Sequence, residues 1–477
     1  MSELIIKLDG VHPLYSQIHD SIVAQIRSGH LSAGDRLPGK RELASRLAVA
    51  VNTVDTAYQM LVAEGYLESR PKSGFFVLPY TDILKPAALD ELPFPAPQSA
   101  PAFRFDLSTG SVDTALFPFR TWGRIQKELL YAESELLSHG PRMGDENLRD
   151  AIAQYLRAYR GVECHRDQIV VGAGMEYLLG LAAQLLRGST AAIENPGYAR
   201  SRTILENCGV ACQCAAIDEG GLSVEELEKT GANLCYVTPS HHFPTGVTMP
   251  AGRRSQLLQW AARGAQRYII EDDYDAEFRF DMRPLPSLQG MAGPGGPVIY
   301  LCTFSKSLAP GIRIACMVLP TTLLARYRER FGTYSNTVSR FEQQTLHRFL
   351  TEGYFTRHLG RMRKTYRGRM DRLVNELEVL FGKERILLTG QHTGLHLLCT
   401  LRDAPEEGAM VRAAAENGIL LRGLSEYYME HGETCPENTV ILGYASVSDG
   451  EIPVLAETLY RAWSCFSGIT KKQGENL

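Results

Sequence analysis

From about Phe105 onward, short apolar runs alternate with amphipathic stretches, and each run stops at a cluster of polar residues. The runs are "DQIVVGAG", "TAAIENP", "ANLCYVTPS", "RYIIEDD" and "PVIYLCTFSK". Between them lie helical patterns such as "MEYLLGLAAQLL" and "AGRRSQLLQWAARG". This alternation predicts a doubly wound α/β domain with a mostly parallel sheet. In such a sheet, ligands sit outside the carboxyl ends of the strands. The unusual residues fall at those ends: Gly172-Ala173-Gly174, then Tyr198 and Arg200, then Ser240, His241 and His242, then Glu271 to Asp275, and last Thr303, Ser305 and Lys306. Five strand ends are expected to converge on one crevice.

These residue types suit pyridoxal phosphate. A lysine amine forms a Schiff base with the cofactor aldehyde. A carboxylate must face the pyridine nitrogen, a flat aromatic can stack on the ring, and hydroxyls, an arginine and helix N-terminal amides can hold the phosphate. Taken singly, each residue has an ordinary explanation. Lys306 reads as a surface lysine, "EDDYD" as an acidic turn or a divalent-metal site, and "GAG" as tight packing. Their order at successive strand ends joins them. A nucleotide site does not fit: no P-loop glycine pattern precedes Lys306, and no G-x-G-x-x-G follows the first α/β strand.

The first eighty residues form a separate unit. "PLYSQIHDSIVAQIRSG" places Ile18, Ile22 and Ile26 at helical spacing, with Gly29 as a stop. "GKRELASRLAV" is a second helix, with Leu43 and Leu47 inward. "VNTVDTAYQMLVAEG" is a third, with Asn52 or Thr53 as N-cap. "YLESRPKSGFFVL" reads as two strands around a turn. Three helices and a hairpin are the order of a winged helix-turn-helix. Prolines at 86, 93, 95, 97 and 101 mark residues 81–104 as a linker. The helical stretch from "FEQQTLHRFL" to "NELEVLF" leads to "LHLLCTL" and "TVILGYA", expected strands of a smaller C-terminal subdomain. The boundaries are thus 1–80, 81–104 and 105–468, with the large subdomain at about 130–335 and the small one at about 336–468.

Composition excludes more than it assigns. The 477 residues suit two to four domains, and the net charge of −4 gives no whole-molecule attraction to nucleic acid or anionic membrane. No apolar stretch spans a bilayer and "MSELIIKLDG" lacks the pattern of a secretion signal, so a cytoplasmic location is expected. Ten scattered cysteines, with one isolated C-x-C at Cys212 and Cys214, are expected to be reduced thiols rather than a metal site or a disulfide framework.

"IVVGAGMEYL", "ENPGY", "VTPSHHFPTG", "IIEDDYDAEF" and "YLCTFSKSLAPGIR" resemble the successive motifs of fold-type I aminotransferases over most of 105–465. The first eighty residues resemble the GntR-type winged helix almost end to end. Together they are similar to the MocR-type regulators of the GntR superfamily. That resemblance implies that Lys306 forms the internal aldimine with pyridoxal 5'-phosphate. It implies Asp272, with Asp273 as the off-by-one alternative, at the pyridine nitrogen. Tyr274 and His241 or His242 would lie by the ring oxygen, with Tyr198 stacked on the ring. Gly174, Met175, Glu176, Thr303, Ser305 and Arg313 would hold the phosphate. Arg200 and Arg422 would clamp an effector carboxylate, with a structural ion pair as the alternative for each.

For operator DNA, the resemblance implies Asn52 and Thr53 near base edges, Lys40 and Arg41 at phosphates or a guanine, and Lys72, Ser73 and Gly74 at the wing tip. Residues 1–80 carry eight basic and eight acidic side chains, so local clustering and dimerisation must supply affinity. Val51 stands where many such helices have arginine, Gly39 where serine is usual, and His242 where many relatives have glutamine. The implied function is a DNA-binding transcriptional regulator that senses the cofactor, or an amine or amino acid that displaces Lys306 to give an external aldimine. It would act as a head-to-tail homodimer away from membranes, with residual transamination. The alternative is a pyridoxal phosphate-dependent aminotransferase carrying an accessory winged helix.

Overall fold

A computed structural model describes residues 4–9, 12–80, 103–280, 285–402, 404, 406–430, 435, 436 and 438–468. The chain divides into two compact units, Met1–Ala100 and Pro101–Leu477. Most of the expected linker, 81–102, lies outside the described residues.

In the first unit, helices Leu14–Arg27, Lys40–Leu47 and Val51–Ala63 precede an antiparallel hairpin, Leu67–Arg70 with Gly74–Val77. Ile18, Ile22 and Ile26 point inward from the first helix and meet Leu43, Val54, Tyr58, Leu61, Leu67 and Phe75 in one core. Gly29 and Gly65 lie just past the first and third helices at φ of +77° and +79°, where a side chain would be strained. The third helix starts two to three residues earlier than the expected cap placed it. Ala50 is its N-cap, so Asn52 and Thr53 stand in its first turn instead of capping it.

The second unit is built on an eight-stranded sheet in the order Ile169–Gly172, Ala315–Val318, Val298–Thr303, Tyr268–Asp273, Leu234–Val237, Thr190–Asn195, Ala211–Asp218, Gly221–Leu222. From Val298–Thr303 across to Ala211–Asp218 neighbouring strands are parallel; Ala315–Val318 runs against both its neighbours. Val298–Thr303 and Leu234–Val237 are buried at every residue, which is why they read as unbroken apolar runs. Helix Met175–Leu185 buries Leu178, Leu181, Ala182 and Leu185, and helix Ala251–Ala262 buries Leu257, Trp260 and Ala261.

The smaller part carries a four-stranded antiparallel sheet, in the order Ile386–Thr389, His396–Leu401, Thr439–Gly443, Arg422–Gly423. The 28-residue helix Tyr354–Phe381 and the helix Ile452–Trp463 pack together beside it. Phe105–Asp106 pairs in parallel with Ile419–Leu420, far along the chain. One expectation needs correction: not all cysteines are reduced, since Cys302 and Cys316 form a disulfide. They face each other across an antiparallel pair, 5.4 Å apart at Cα, a proximity that their separation in sequence does not reveal.

Truncation of the fully buried Ile22 tests the first unit's core. Ile22→Ala should lower its unfolding free energy by about 2–5 kcal/mol, measured by denaturant titration followed through the helical signal of residues 1–80.

Candidate cofactor site

The strand Tyr268–Asp273 sends alternate side chains to opposite faces, and its three acids divide accordingly. Glu271 and Asp273 point to one side. Glu271 accepts the backbone N–H groups of Leu288 and Gln289 at 2.9 Å and lies 3.8 Å from the guanidinium of Arg254, which is wholly buried. Asp273 is bound to Arg160 and accepts the Tyr300 hydroxyl, all buried. The Arg160 charge and the hydrogen bonds hold Asp273 below the usual carboxylate range against the opposing effect of burial. Asp272 points to the other side and lines a cavity of about 250 Å³. This alternation separates the two candidate aspartates: Asp273 is occupied by an ion pair, and Asp272 faces the cavity.

Asp272 accepts the Tyr236 hydroxyl through Oδ2, while its buried Oδ1 has no partner. Burial pushes its carboxyl up to about 7; the Tyr236 hydrogen bond opposes this, and the charges of Asp273 and Asp275 add to it. Lys306 enters the same cavity from the end of strand Val298–Thr303. Its ammonium donates to the carbonyls of Thr109 and, at 3.0 Å, Gly110. Burial lowers the amine to about 8, with Asp275 pulling the other way.

At one side of the cavity, Gly174 turns the chain into helix Met175–Leu185 at φ +96°. A Cβ there would lie 2.4 Å from Nη2 of Arg313, so the guanidinium occupies the space that glycine leaves open. Met175, Glu176, Thr303, Ser305 and Arg313 all line the cavity, and the Thr303 hydroxyl donates to Ser305 Oγ at 2.9 Å. Tyr198, the N-cap of helix Ala199–Asn207, lines it as well, with its ring edge-on to Phe243 at 5.7 Å.

The two histidines do not line the cavity; Phe243 holds that face. His241 is buried behind Tyr274, with Nδ1 2.9 Å from the Tyr274 hydroxyl and 2.9 Å from Asp275 Oδ2. His242 turns the other way, to Thr245 at 2.7 Å and Glu194 at 3.6 Å. Burial lowers His242 to about 3 and raises Glu194 to about 8, so that contact joins neutral groups. His242 is thus turned away from the cavity lining. His241, Asp275 and His396 are the one group among the described residues whose donor atoms lie close enough to share a metal, and they already hydrogen-bond to Tyr274, each other or the Pro244 carbonyl.

Arg200 lines the cavity but is ion-paired with Glu176 at 2.7 Å. Arg422 does not line it; its exposed side chain pairs with Glu426 at 2.6 Å on the same short segment. In the first unit Lys40 is held by Asp55 and lies 5.1 Å above the Phe75 ring, so it braces the second helix against the third. Arg41, Asn52, Lys72 and Ser73 are exposed, and Thr53 and Gly74 half-buried.

Sequence reasoning missed Tyr236, Phe243, Thr109 and Gly110. Tyr236 carried a usable signal, since it shares a strand face with Thr238, another residue of the lining. Thr109 and Gly110 carried none, because only the fold brings them to Lys306.

Residues 14–77 match the family described as bacterial regulatory proteins, gntR family, and residues 105–459 match aminotransferase class I and II. The chain is 37% identical to the HTH-type transcriptional regulator YdeL of Bacillus subtilis, over 94% of this chain and 97% of that one. It is 33% identical to the probable rhizopine catabolism regulatory protein MocR of Rhizobium meliloti, over 93% and 92%. It belongs to the MocR-type GntR regulators. A third relative of this MocR-type chain is the pyridoxine biosynthesis regulator PdxR of Corynebacterium glutamicum, 31% identical over 96% and 98%. The aminotransferase-like unit shares its fold with an archaeal alanine:glyoxylate aminotransferase, at a TM-score of 0.68 and 24% identity over 77% of this chain and 91% of that one. A kynurenine aminotransferase of Pyrococcus horikoshii, solved with PMP, gives 0.67 and 25% over 76% and 91%. Among the described residues no helix is long and apolar enough to cross a membrane.

The Asp272 carboxyl sets a pH signature. In the folded chain it keeps its proton to about pH 7, whereas in the unfolded chain it ionises near ~3.9. The folded state thus binds more protons between these values, and this group makes stability fall as pH rises from about 4 to 7. Asp272→Asn should flatten that part of the melting-temperature profile of cofactor-free protein; an unchanged slope would contradict the assignment.

Proposed function

We propose that the chain is a pyridoxal phosphate-dependent DNA-binding transcriptional regulator in which Lys306 reports the cofactor, or an amine or amino acid that competes for it. One observation carries the reading: Asp272, whose buried Oδ1 has no partner, lines the cavity that Lys306 enters. A buried polar atom without a partner is costly, and a protonated ring nitrogen would satisfy it. The remaining groups fit the same ligand. Gly174 and the amides of Met175 and Glu176 open a helix N-terminus toward an anion, with Thr303, Ser305 and Arg313 beside them. Tyr198 offers an aromatic face and Tyr274 a hydroxyl.

Pyridoxal phosphate supplies an electrophilic aldehyde and an electron-withdrawing ring. The protein's residues then bind and orient it. Burial of Lys306 makes the neutral, nucleophilic amine available near pH 8. Asp272, ionised opposite a cationic ring nitrogen, keeps the ring proton in place. An incoming amine competes with Lys306 for the cofactor, and a carboxylate on it must displace Glu176 to reach Arg200. The relatives' names support effectors of this class: one regulates pyridoxine biosynthesis and one rhizopine catabolism. The winged helix, with Arg41, Asn52, Thr53, Lys72, Ser73 and Gly74 as its contacts, binds operator DNA as part of a head-to-tail homodimer. Transamination is the second reading, favoured by Lys306, Asp272 and Tyr274 sharing one cavity.

The test uses full-length protein. The purified chain should absorb visible light, borohydride should fix the cofactor, and Lys306→Ala should abolish the fixed label. A gel shift on its own promoter region should respond to the cofactor or to an amine. A label that survives Lys306→Ala rejects the cofactor site. DNA binding indifferent to every ligand, together with keto-acid-dependent turnover, turns the reading to the enzyme.

A further inference from the structure

The hydrogen-bond geometry behind Tyr274 fixes more than a side-chain position. His241 Nδ1 lies 2.9 Å from Asp275 Oδ2, 3.1 Å from Asp275 Oδ1 and 2.9 Å from the Tyr274 hydroxyl. A carboxylate only accepts, so Nδ1 must carry the ring hydrogen. That hydrogen is shared between Asp275 and the Tyr274 oxygen. The phenol oxygen is thereby engaged as an acceptor, and its own hydrogen is directed away from the imidazole. Tyr274 lines the cavity, so the cavity is open to that hydrogen.

The surroundings hold the arrangement. His241 is 1% exposed and its Nε2 has no hydrogen-bond partner, which suits a bare lone pair and not a second N–H. The ring cannot slide toward the strand His396–Leu401, because the Cα of Gly394 packs against it: a Cβ at Gly394 would fall 1.8 Å from Cε1. The His396 ring stands 4.7 Å away and is itself committed through Nε2 to the Pro244 carbonyl at 2.9 Å. The charged and titratable groups facing this cluster are Asp272, Asp273, Asp275 and Glu194 around Tyr274, His242 and His396 around His241, Arg279 and Tyr444 around Asp275, and Lys306 across the cavity. Burial and the four carboxyls keep the Tyr274 phenol protonated, so it always has a hydrogen to give.

We propose that His241, clamped by Asp275, is a positioning residue that turns the Tyr274 hydroxyl into a one-way hydrogen donor toward the ring oxygen of bound pyridoxal phosphate. This rests on the cofactor reading above. The consequence is electrostatic. A donor on the ring oxygen stabilises its negative charge, and does so most when the neighbouring linkage nitrogen at Lys306 has lost its proton. The donor therefore lowers the pH at which that nitrogen deprotonates. Removing the orientation of Tyr274 should raise it.

The experiment is a pH titration of the visible absorption of full-length, cofactor-loaded protein. Asparagine and glutamine separate the two ring positions, since an Asn amide nitrogen stands where Nδ1 was and a Gln amide nitrogen where Nε2 was. His241→Gln should raise the titration midpoint by about one pH unit, a tenfold change in proton affinity, and His241→Asn should stay close to the parent. Tyr274→Phe should raise it as well, and His241→Gln added to Tyr274→Phe should do nothing further, because His241 acts only through the phenol. A merely structural His241 would weaken cofactor binding in both amide variants alike without this split. The proposal is overturned if His241→Gln titrates with the parent, or if its effect adds fully to that of Tyr274→Phe. If the parent protein shows neither a visible band nor a borohydride label, the cofactor reading itself has failed. If both are present and the midpoints coincide, only the role of His241 has.

Discussion

The buried ion pair between Arg160 and Asp273 underlies the whole site. Both side chains are almost inaccessible, and Tyr300 and Ser240 add hydrogen bonds to the pair. A buried pair of this kind is poor evidence for net stability, because desolvation offsets most of the attraction, but loss of one partner is costly. Its value here is positional. It pins the last residue of strand Tyr268–Asp273 to the helix Glu146–Arg160 and so fixes which way each neighbour points. Arg254 does the same for Glu271 from the helix Ala251–Ala262. With two of the three consecutive acids anchored on one face, Asp272 has only the other face available.

The charge left on that face is tuned by what surrounds it. Asp272 and Glu194 are both buried, and burial raises each above the usual carboxylate range. Lys306 is shifted in the opposite direction by the same cause. An acid that keeps its proton and an amine that gives one up are thus set facing one cavity. Strongly perturbed groups gathered in a cleft are a mark of function more than of folding.

Much of this was readable from the residues alone. The alternation of runs gave the sheet, and the polar strand ends gave Lys306, Tyr198, Tyr274 and the acid cluster, because strand ends are where a parallel sheet must place its ligands; the choice of Asp272 over Asp273 and the place of Arg313 came from the resemblance to aminotransferase motifs. The three isoleucines of the first helix gave its inner face. What was not readable depended on contacts between distant segments. Phe105–Asp106 pairs with Ile419–Leu420, and no local pattern announces it. The Cys302–Cys316 disulfide needs the antiparallel register of its two strands. The direction of His241 and His242 could not be read because both follow Ser240 in a loop, where period-two alternation does not apply; Phe243, which takes the cavity face, looked like ordinary core. Lys40 and Arg422 were basic residues in suggestive places, and neighbouring acids hold both.

The contact between Lys306 and the Thr109–Gly110 backbone sets up a competition. These two carbonyls belong to the stretch between Phe105–Asp106 and the helix Phe119–Ala132. An amine joined to a ligand can no longer hold both carbonyls as an ammonium does. An occupant of the cavity and the Thr109–Gly110 backbone therefore draw on the same nitrogen atom.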